Sequence, residues 1–168
     1  MHDELMAVLL QEDDLGAVIR AHLYIEQDID HIVSMKVANH DYISKLDMGF
    51  SKKIILAVAL GLAEDLFKPL KSITNIRNKF AHKPKMEMKK SDINNFYKSF
   101  SSNDQEAIQK FVSSDPKIPR GVAKRYPLLS IKEKFVVLTF HLAFRVRGEW
   151  RETFISEFEI LDNNQEDE

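Results

Sequence analysis

The stretch ITNIRNKFAHKPKMEMKK, at residues 73–90, determines much of how this chain folds. Ile73, Ile76 and Phe80 follow one another at spacings of three and four, which places them on one stripe of an α-helix. Asn78 and His82 are four residues apart and therefore share a second, adjacent face. The pattern predicts an amphipathic helix that buries its apolar stripe and carries a polar face beside it.

Both ends of this helix are marked by proline. Pro69 fits the first turn of a helix, so the helix is predicted to begin near Lys68. Pro84 disfavours helical geometry at the residue before it, so the helix is predicted to end near His82. The imidazole then lies at a helix C-terminus, where the negative end of the helix dipole favours its cationic form. Arg77 lies about 140° around the axis from His82 on ideal geometry, and its side chain is long enough to turn towards the imidazole.

The composition is that of a helical domain. With 168 residues, of which 44% are hydrophobic, the chain is long enough for one globular domain with its own core. It has only five glycines and five prolines, and its β-branched residues recur at helical spacing and not in alternation. The predicted fold is all-α, a single compact helical bundle of about six or seven helices. The predicted domain covers residues 1–160, and a disordered acidic tail follows at residues 161–168.

Start and stop signals predict the first three helices. A short helix at residues 3–11 is followed by a longer one that reaches about residue 37 and has Asp13 or Asp14 as its cap. Ser51 is predicted to cap a strongly apolar helix that is buried on most sides. Gly61 is predicted to end that helix or to allow close packing.

The same signals predict the later helices. Ser91 is predicted to cap a helix through residue 100, and Asn103 or Asp104 to begin another through residue 112. A loop rich in proline is predicted at residues 115–127.

The longest helix is predicted from a capping box. Ser130 and Glu133 have the required spacing, and the helix that they open reaches about residue 158. The predicted core is formed by apolar residues of three helices: Ile54, Leu56, Val58, Leu60, Leu70, Ile73, Ile76, Phe80, Phe135, Leu138 and Leu142.

The net charge of −2 conceals a polarised distribution of charge. The first 30 residues are acidic, with Arg20 as their only lysine or arginine, whereas residues 68–90 carry eight lysines and arginines against Glu87. This asymmetry indicates either an anionic ligand for the middle of the chain or internal pairing of acidic and basic faces. The candidate binding residues are the lysines at and beyond the end of the central helix: Lys79, Lys83, Lys85, Lys89 and Lys90.

Several classes of protein find no support in the sequence. There is no cysteine, which excludes disulfides and thiolate metal sites. His31 and His40 have no carboxylate at ligand spacing, and His22 falls on a core-facing stripe, so no metal or other cofactor is expected. Phosphate-binding glycine loops and serine-hydrolase elbows are also missing. No signal peptide is recognised and the apolar runs are too short to cross a bilayer, so no membrane association and a cytoplasmic location are expected.

Sequence-specific reading of DNA is not expected either. A helix-turn-helix motif needs two short helices across a tight turn, with base-reading side chains along the second. The helices on either side of Gly61 do not match this, because the first is mostly apolar and the second carries an apolar stripe. Basic residues alone attract phosphate independently of sequence.

The spacing Arg77-Asn78-x-x-Ala81-His82 at a helix end resembles the signature of HEPN domains, which are small helical modules that often dimerise. In nuclease members, the resemblance implies RNA cleavage without a metal. Arg77 would stabilise the charged phosphorane and His82 would transfer the proton, with Asn78 beside them. An imidazole titrates near ~6.5 and a guanidinium binds phosphate through a rigid fork, so these residue types suit the chemistry. The alternative is a structural network at the helix end, and the motif leaves both open.

A longer resemblance covers nearly the whole chain. The segments RAHLYIEQDIDHIV, FSKKIILAVALGLAEDL, ITNIRNKFAH and RYPLLSIKEKFVVLTFHLAFRV resemble the mannitol operon repressor (MltR) family. The resemblance implies an all-helical transcriptional regulator that lacks an obvious DNA-reading element and acts through other proteins. The expected function is therefore regulatory, through a protein partner or a homodimer. The alternative is a HEPN-type ribonuclease that uses Arg77, Asn78 and His82 on RNA.

Overall fold

The apolar stripes of the helices pack against one another, and the chain forms a helical bundle. A computed structural model describes residues 2–83, 87–114 and 125–163, and within these ranges the chain is all-α with no strand. The predicted fold class is thus confirmed, with seven α-helices in the described residues. They are α1 (His2–Gln11), α2 (Asp14–Lys36), α3 (Phe50–Ala59), α4 (Phe67–His82), α5 (Lys90–Ser99), α6 (Ser102–Ser114) and α7 (Ile131–Asn163).

The core lies between α2 and α7. α7 packs against α1, α2, α5 and α6, and α2 packs against α1, α3, α4 and α7. Phe135, Leu138 and Leu142 of α7 are fully buried, as predicted. The two long helices therefore form the framework on which the shorter ones are placed.

The α4 helix has the predicted amphipathic form. Leu70, Ile73, Ile76 and Phe80 are all buried in the core, which confirms the stripe. Pro69 lies in the first turn of the helix, as predicted, and the helix ends at His82. Burial of this stripe fixes how α4 is rotated, so the residues between its members face outward.

Two of the predicted helix caps are present. The Asp13 carboxylate accepts a hydrogen bond from the Gly16 backbone amide at 2.6 Å, so Asp13 caps α2. The capping box is confirmed at α7, where the Ser130 amide donates to the Glu133 carboxylate at 2.7 Å and the Glu133 amide to the Ser130 hydroxyl at 3.2 Å. These bonds satisfy amides that have no partner within their own helix.

The end of α3 is closed by glycine. Gly61 has a φ of 106°, its amide donates to the Val58 carbonyl, and the Leu62 amide donates to the Ala57 carbonyl. This is the hydrogen-bond pattern of a Schellman motif, and it confirms that Gly61 ends the helix.

Two serines predicted as caps lie inside helices instead. α3 begins at Phe50, upstream of Ser51, because burial of the Phe50 ring in the core fixes the position of the first turn. α5 begins at Lys90, upstream of Ser91, because the buried Met88 holds the preceding segment extended. Packing therefore decides both starts.

The start of α6 was also predicted wrongly. The helix begins at Ser102 and not at Asn103 or Asp104. The Ser101 hydroxyl accepts from the Asp104 amide at 3.2 Å, so the capping residue is a serine that the spacing rules passed over.

The expectation that α3 is buried on most sides is wrong. Ile54 is fully buried, but Leu56, Val58 and Leu60 are only half-buried and Ile55 is 55% exposed. The reason is that α3 packs mainly against α2 and α4, which leaves its other side exposed in the part of the chain that the structure describes.

Parts of the C-terminal predictions fall outside the described residues. These parts are residues 115–124 of the predicted loop and residues 164–168 of the predicted tail, whereas Tyr126–Leu128 forms a short 3₁₀ turn. α7 runs to Asn163, past the predicted end near residue 158, and the predicted division after residue 160 falls within it. In the part of the chain that the structure describes, no helix combines the length and the apolar character needed to cross a membrane.

Candidate functional site

The predicted site residues lie around the end of α4. A groove of about 350 Å³ opens there and is lined by Lys79, His82, Lys83, Lys89 and Asp92. Its walls come from the last turns of α4, the segment before α5 and the first turn of α5. Of the other predicted binding lysines, Lys90 lines a neighbouring pocket and Lys85 lies outside the described residues.

The fold holds both walls of this groove in place. Phe80 of α4 is buried in the core, so Lys79, His82 and Lys83 are exposed to solvent. The opposite wall is tied to the body of the protein by Met88, whose backbone amide donates to the Asp14 carboxylate of α2 at 2.8 Å. Lys89 follows this anchored residue directly and is exposed.

The groove carries a net positive charge with one internal ion pair. Lys79 Nζ lies 2.6 Å from the Asp92 carboxylate, whose side chain is only 11% exposed, against 52% for the lysine. Asp92 lies in the first turn of α5, where the helix dipole favours a carboxylate. Lys83 and Lys89 have no ion-pair partner among the described residues, so their charges are available to a ligand.

The structure does not bring Arg77 and His82 together within one chain. His82 is exposed and lines the groove, whereas Arg77 is half-buried and does not. The Arg77 guanidinium donates to the Asn78 side-chain oxygen at 3.2 Å and lies near enough to His22 of α2 to affect its titration. Asn78 is exposed and bonded to Arg77, and of the predicted trio only His82 lines the groove.

His22 belongs to a cluster behind α4. The prediction that it faces the core is confirmed, since it is 4% exposed and its ring meets Phe50 edge-on with centroids 4.6 Å apart. Its Nδ1 lies 3.6 Å from the Glu26 carboxylate, and its Nε2 has no hydrogen-bond partner in the described residues. Burial lowers the pKa of His22; Glu26 opposes this, and Arg77 and Lys53 add to it.

Lys53 connects this cluster to the surface. Its amine lies 3.1 Å from the Glu26 carboxylate and 2.8 Å from that of Asp30. A hollow of about 400 Å³ opens beside it, lined also by Asp30 and Asp47. Because Lys53 is already paired, this hollow offers a ligand less unbalanced charge than the groove does.

A buried polar network that the sequence analysis missed joins α6 to α7. Asp104 is 3% exposed, and its carboxylate accepts from Ser101 Oγ at 2.6 Å, from His141 Nε2 at 2.9 Å and from Arg145 Nη1. Burial alone would raise the pKa of Asp104, but these hydrogen bonds outweigh it and hold the pKa below its usual value. Arg145 also reaches Asp65, at 3.2 Å.

A second missed network joins α2 to α7. Arg147 Nε lies 2.9 Å from both carboxylate oxygens of the buried Asp28, and the guanidinium stacks 4.6 Å from the centre of the Tyr24 ring. These contacts span 119 residues of sequence, so no local spacing could have revealed them.

Four acids of the N-terminal segment have basic partners that lie outside the groove. Glu12 pairs with Arg20, Glu26 and Asp30 pair with Lys53, and Asp28 pairs with Arg147. Within the described ranges, the predicted internal pairing of the acidic segment with the lysines of residues 68–90 does not occur. An anionic ligand and pairing between two copies of the chain therefore both stay open as interpretations of the basic segment.

The described residues contain no group of three or more histidines, aspartates or glutamates placed to hold a metal ion. Comparisons of the chain with protein-family models, with curated proteins and with solved structures find no match.

Proposed function

We propose that this chain is a regulatory protein similar to the mannitol operon repressor family, which acts in the cytoplasm through a protein partner or a homodimer and does not read DNA bases. The groove at the end of α4 is the proposed contact surface, and an acidic segment of the partner is the proposed ligand. The single observation that carries this proposal is the pair of lysines, Lys83 and Lys89, which line the groove without an ion-pair partner in the described residues.

The placement of the groove supports a partner other than the DNA bases. A recognition helix contacts bases mainly with its N-terminal residues. The cations of α4 that line the groove lie in the last turns of the helix, beside α5. Asp92 also lines the groove and pairs with Lys79. Such a groove suits a flexible acidic segment, because three lysines line one space of about 350 Å³.

Reversing the charge of the groove is expected to weaken the binding of an acidic segment. With Lys83→Glu and Lys89→Glu combined, binding to a poly-glutamate peptide falls by tenfold or more, on the order of 1.4 kcal/mol, since two attractive contacts become repulsive. Titration by calorimetry or fluorescence anisotropy at low salt measures the change. The matched control is Lys52→Glu with Lys68→Glu, which changes the net charge equally at two exposed residues outside the groove.

Two results contradict the proposal. One is equal loss of binding in the control variant, which means that net charge alone attracts the peptide. The other is tight binding of one operator with strong preference over random duplex DNA. Weak binding of duplex that disappears steeply with salt indicates only phosphate attraction and agrees with the proposal.

A second candidate is a HEPN-type ribonuclease, which the exposure of His82 beside Lys79, Lys83 and Lys89 favours. Lysines along a groove hold a single RNA strand, and an accessible imidazole transfers protons. Because Arg77 and His82 lie on different surfaces of one chain, this activity needs two copies of α4 near a two-fold axis, with Arg77 of one chain serving His82 of the other.

The ribonuclease candidate predicts cleavage of unstructured RNA that persists in EDTA and leaves cyclic phosphate ends. Arg77→Ala and His82→Ala each abolish this cleavage without loss of fold, because neither side chain belongs to the buried core. Gel analysis of the products and the melting temperature of each variant provide the measurement. Intact RNA after incubation with wild-type protein at high concentration, across about pH 6–8, eliminates this candidate.

A further inference from the structure

A second pocket, lined partly by aliphatic residues, lies beside the groove at the start of α5. This notch has a volume of about 210 Å³ and lies between α5 and the N-terminus of α7. Its apolar walls are Ile93, Leu129 and Ile131. Ile93 and Leu129 are buried core residues, so the floor of the notch is rigid, and Ile131 forms its more exposed edge.

The groove and the notch are neighbours along the surface. Lys89 lines the groove and Lys90, the next residue, lines the notch. Successive Cα atoms are about 3.8 Å apart, so one short extended segment can reach both. The two cavities are therefore lined by consecutive residues at the start of α5.

The rim of the notch is also cationic. Lys90 and Lys134 line it, and none of its lining residues is acidic. The Lys134 amine is held in place by the Pro127 carbonyl at 3.2 Å and lies 5.7 Å from the centre of the Tyr126 ring. The nearby Glu133 carboxylate is already bound to the Ser130 amide in the capping box. The notch thus attracts an acidic segment but presents an apolar floor to it.

The volume and chemistry of the notch fit one aliphatic side chain. Pockets for small molecules usually measure about 300–1,000 Å³, so a cavity of 210 Å³ is small for such a ligand. Nucleic acids carry a charge at every unit and offer no branched aliphatic group. A peptide offers both, because charged and aliphatic side chains alternate freely along an extended strand.

We propose that the groove and the notch together bind one extended segment of a partner protein, with acidic side chains in the groove and a large aliphatic side chain in the notch. This inference rests on the proposed function, because it identifies the chemistry of the partner that the groove receives. Acidic residues without the aliphatic side chain are expected to bind more weakly and less specifically.

Two peptides of equal charge test the proposal. In one, acidic residues flank a central leucine; in the other, a serine replaces the leucine. The leucine peptide is expected to bind the full chain about tenfold more tightly, which corresponds to partial burial of one leucine side chain. This ratio is expected to persist as salt is raised, although both affinities fall, because screening weakens the ionic contacts and not the apolar one.

A matched pair of variants locates the contact. Asn94 is exposed and lines the notch, whereas the neighbouring Asn95 is exposed and does not. Asn94→Trp fills the notch and is expected to remove the advantage of leucine over serine while leaving the serine peptide bound as before. Asn95→Trp is expected to keep the advantage. Ile131→Ser, at the edge of the notch, is expected to reduce it.

The outcomes separate this inference from the proposed function. If wild-type protein binds both peptides equally, the notch is not used and the inference fails, although the groove still binds an acidic segment. If neither peptide binds, the proposed function fails too. Equal loss in the Asn94→Trp and Asn95→Trp variants, or a single-stranded RNA oligonucleotide that binds more tightly than the leucine peptide, also overturns the inference.

Discussion

Replacing Asp104 by alanine lowers the free energy of unfolding by about 3 kcal/mol, the low end of the usual cost of breaking a buried ion pair. The side chain is 3% exposed and accepts from Ser101, His141 and Arg145. Without the carboxylate, the half-buried His141 imidazole loses its hydrogen-bond partner and the Arg145 guanidinium loses the more buried of its two carboxylate partners. For a chain of this length the melting temperature falls by roughly 6–12 °C, as calorimetry or circular dichroism would measure.

Asp65→Ala is the matched control for this result. Asp65 also bonds Arg145, at 3.2 Å, but its side chain is 43% exposed. An ion pair of this kind contributes about 1 kcal/mol or less. If the two variants melt at the same temperature, the buried network is not what joins α6 to α7, and the larger prediction is wrong.

Acidification between about pH 7 and pH 5 destabilises the protein through two buried histidines. Burial lowers the pKa of His22, and burial also lowers the pKa of His141 despite the opposing Asp104 carboxylate. Below about pH 6.5 the unfolded chain binds protons at these histidines that the folded chain excludes. Their contribution to the free energy of unfolding is therefore complete above this pH and decreases below it. Each histidine contributes up to about 1.4 kcal/mol per pH unit.

His22→Leu separates the two contributions. The groups that face His22 are Glu26 on α2, Lys53 on α3 and Arg77 on α4, and Glu26 keeps its contact with Lys53 when the imidazole is removed. The variant is expected to lose about half of the pH dependence in urea unfolding at pH 5, 6 and 7. Asp104 does not contribute in this window, because its carboxylate is ionised in both states above about pH 5. An unchanged slope in the variant contradicts the assignment.

The helices could be predicted because their signals are local. The stripe of α4, the Asp13 cap and the capping box at Ser130 each depend on residues three or four apart. The starts of α3 and α5 were missed because Phe50 and Met88 are placed by tertiary packing, which no cap residue reveals.

The candidate site could be predicted in composition but not in arrangement. Lysines around His82 were visible in the sequence, and several of them do line the groove. Their spacing on one helix was known, but which of Arg77 and His82 faces the groove and which lies near His22 depends on how α4 is rotated against α2, and the spacing alone left this open. The networks of Asp104 and Asp28 join residues 37 and 119 apart, and such pairs follow only from the packed structure.

The packing of α7 against both α1 and α2 also governs the course of folding. The contacts between these helices connect residues far apart in the sequence, such as Arg147 and Asp28, which are separated by 119 positions. Closing loops of this length delays the native contacts, and a high contact order slows folding. On the ribosome, α1 and α2 are synthesised long before the helix that covers them. Their apolar faces therefore stay accessible to chaperones, or to aggregation, until α7 emerges.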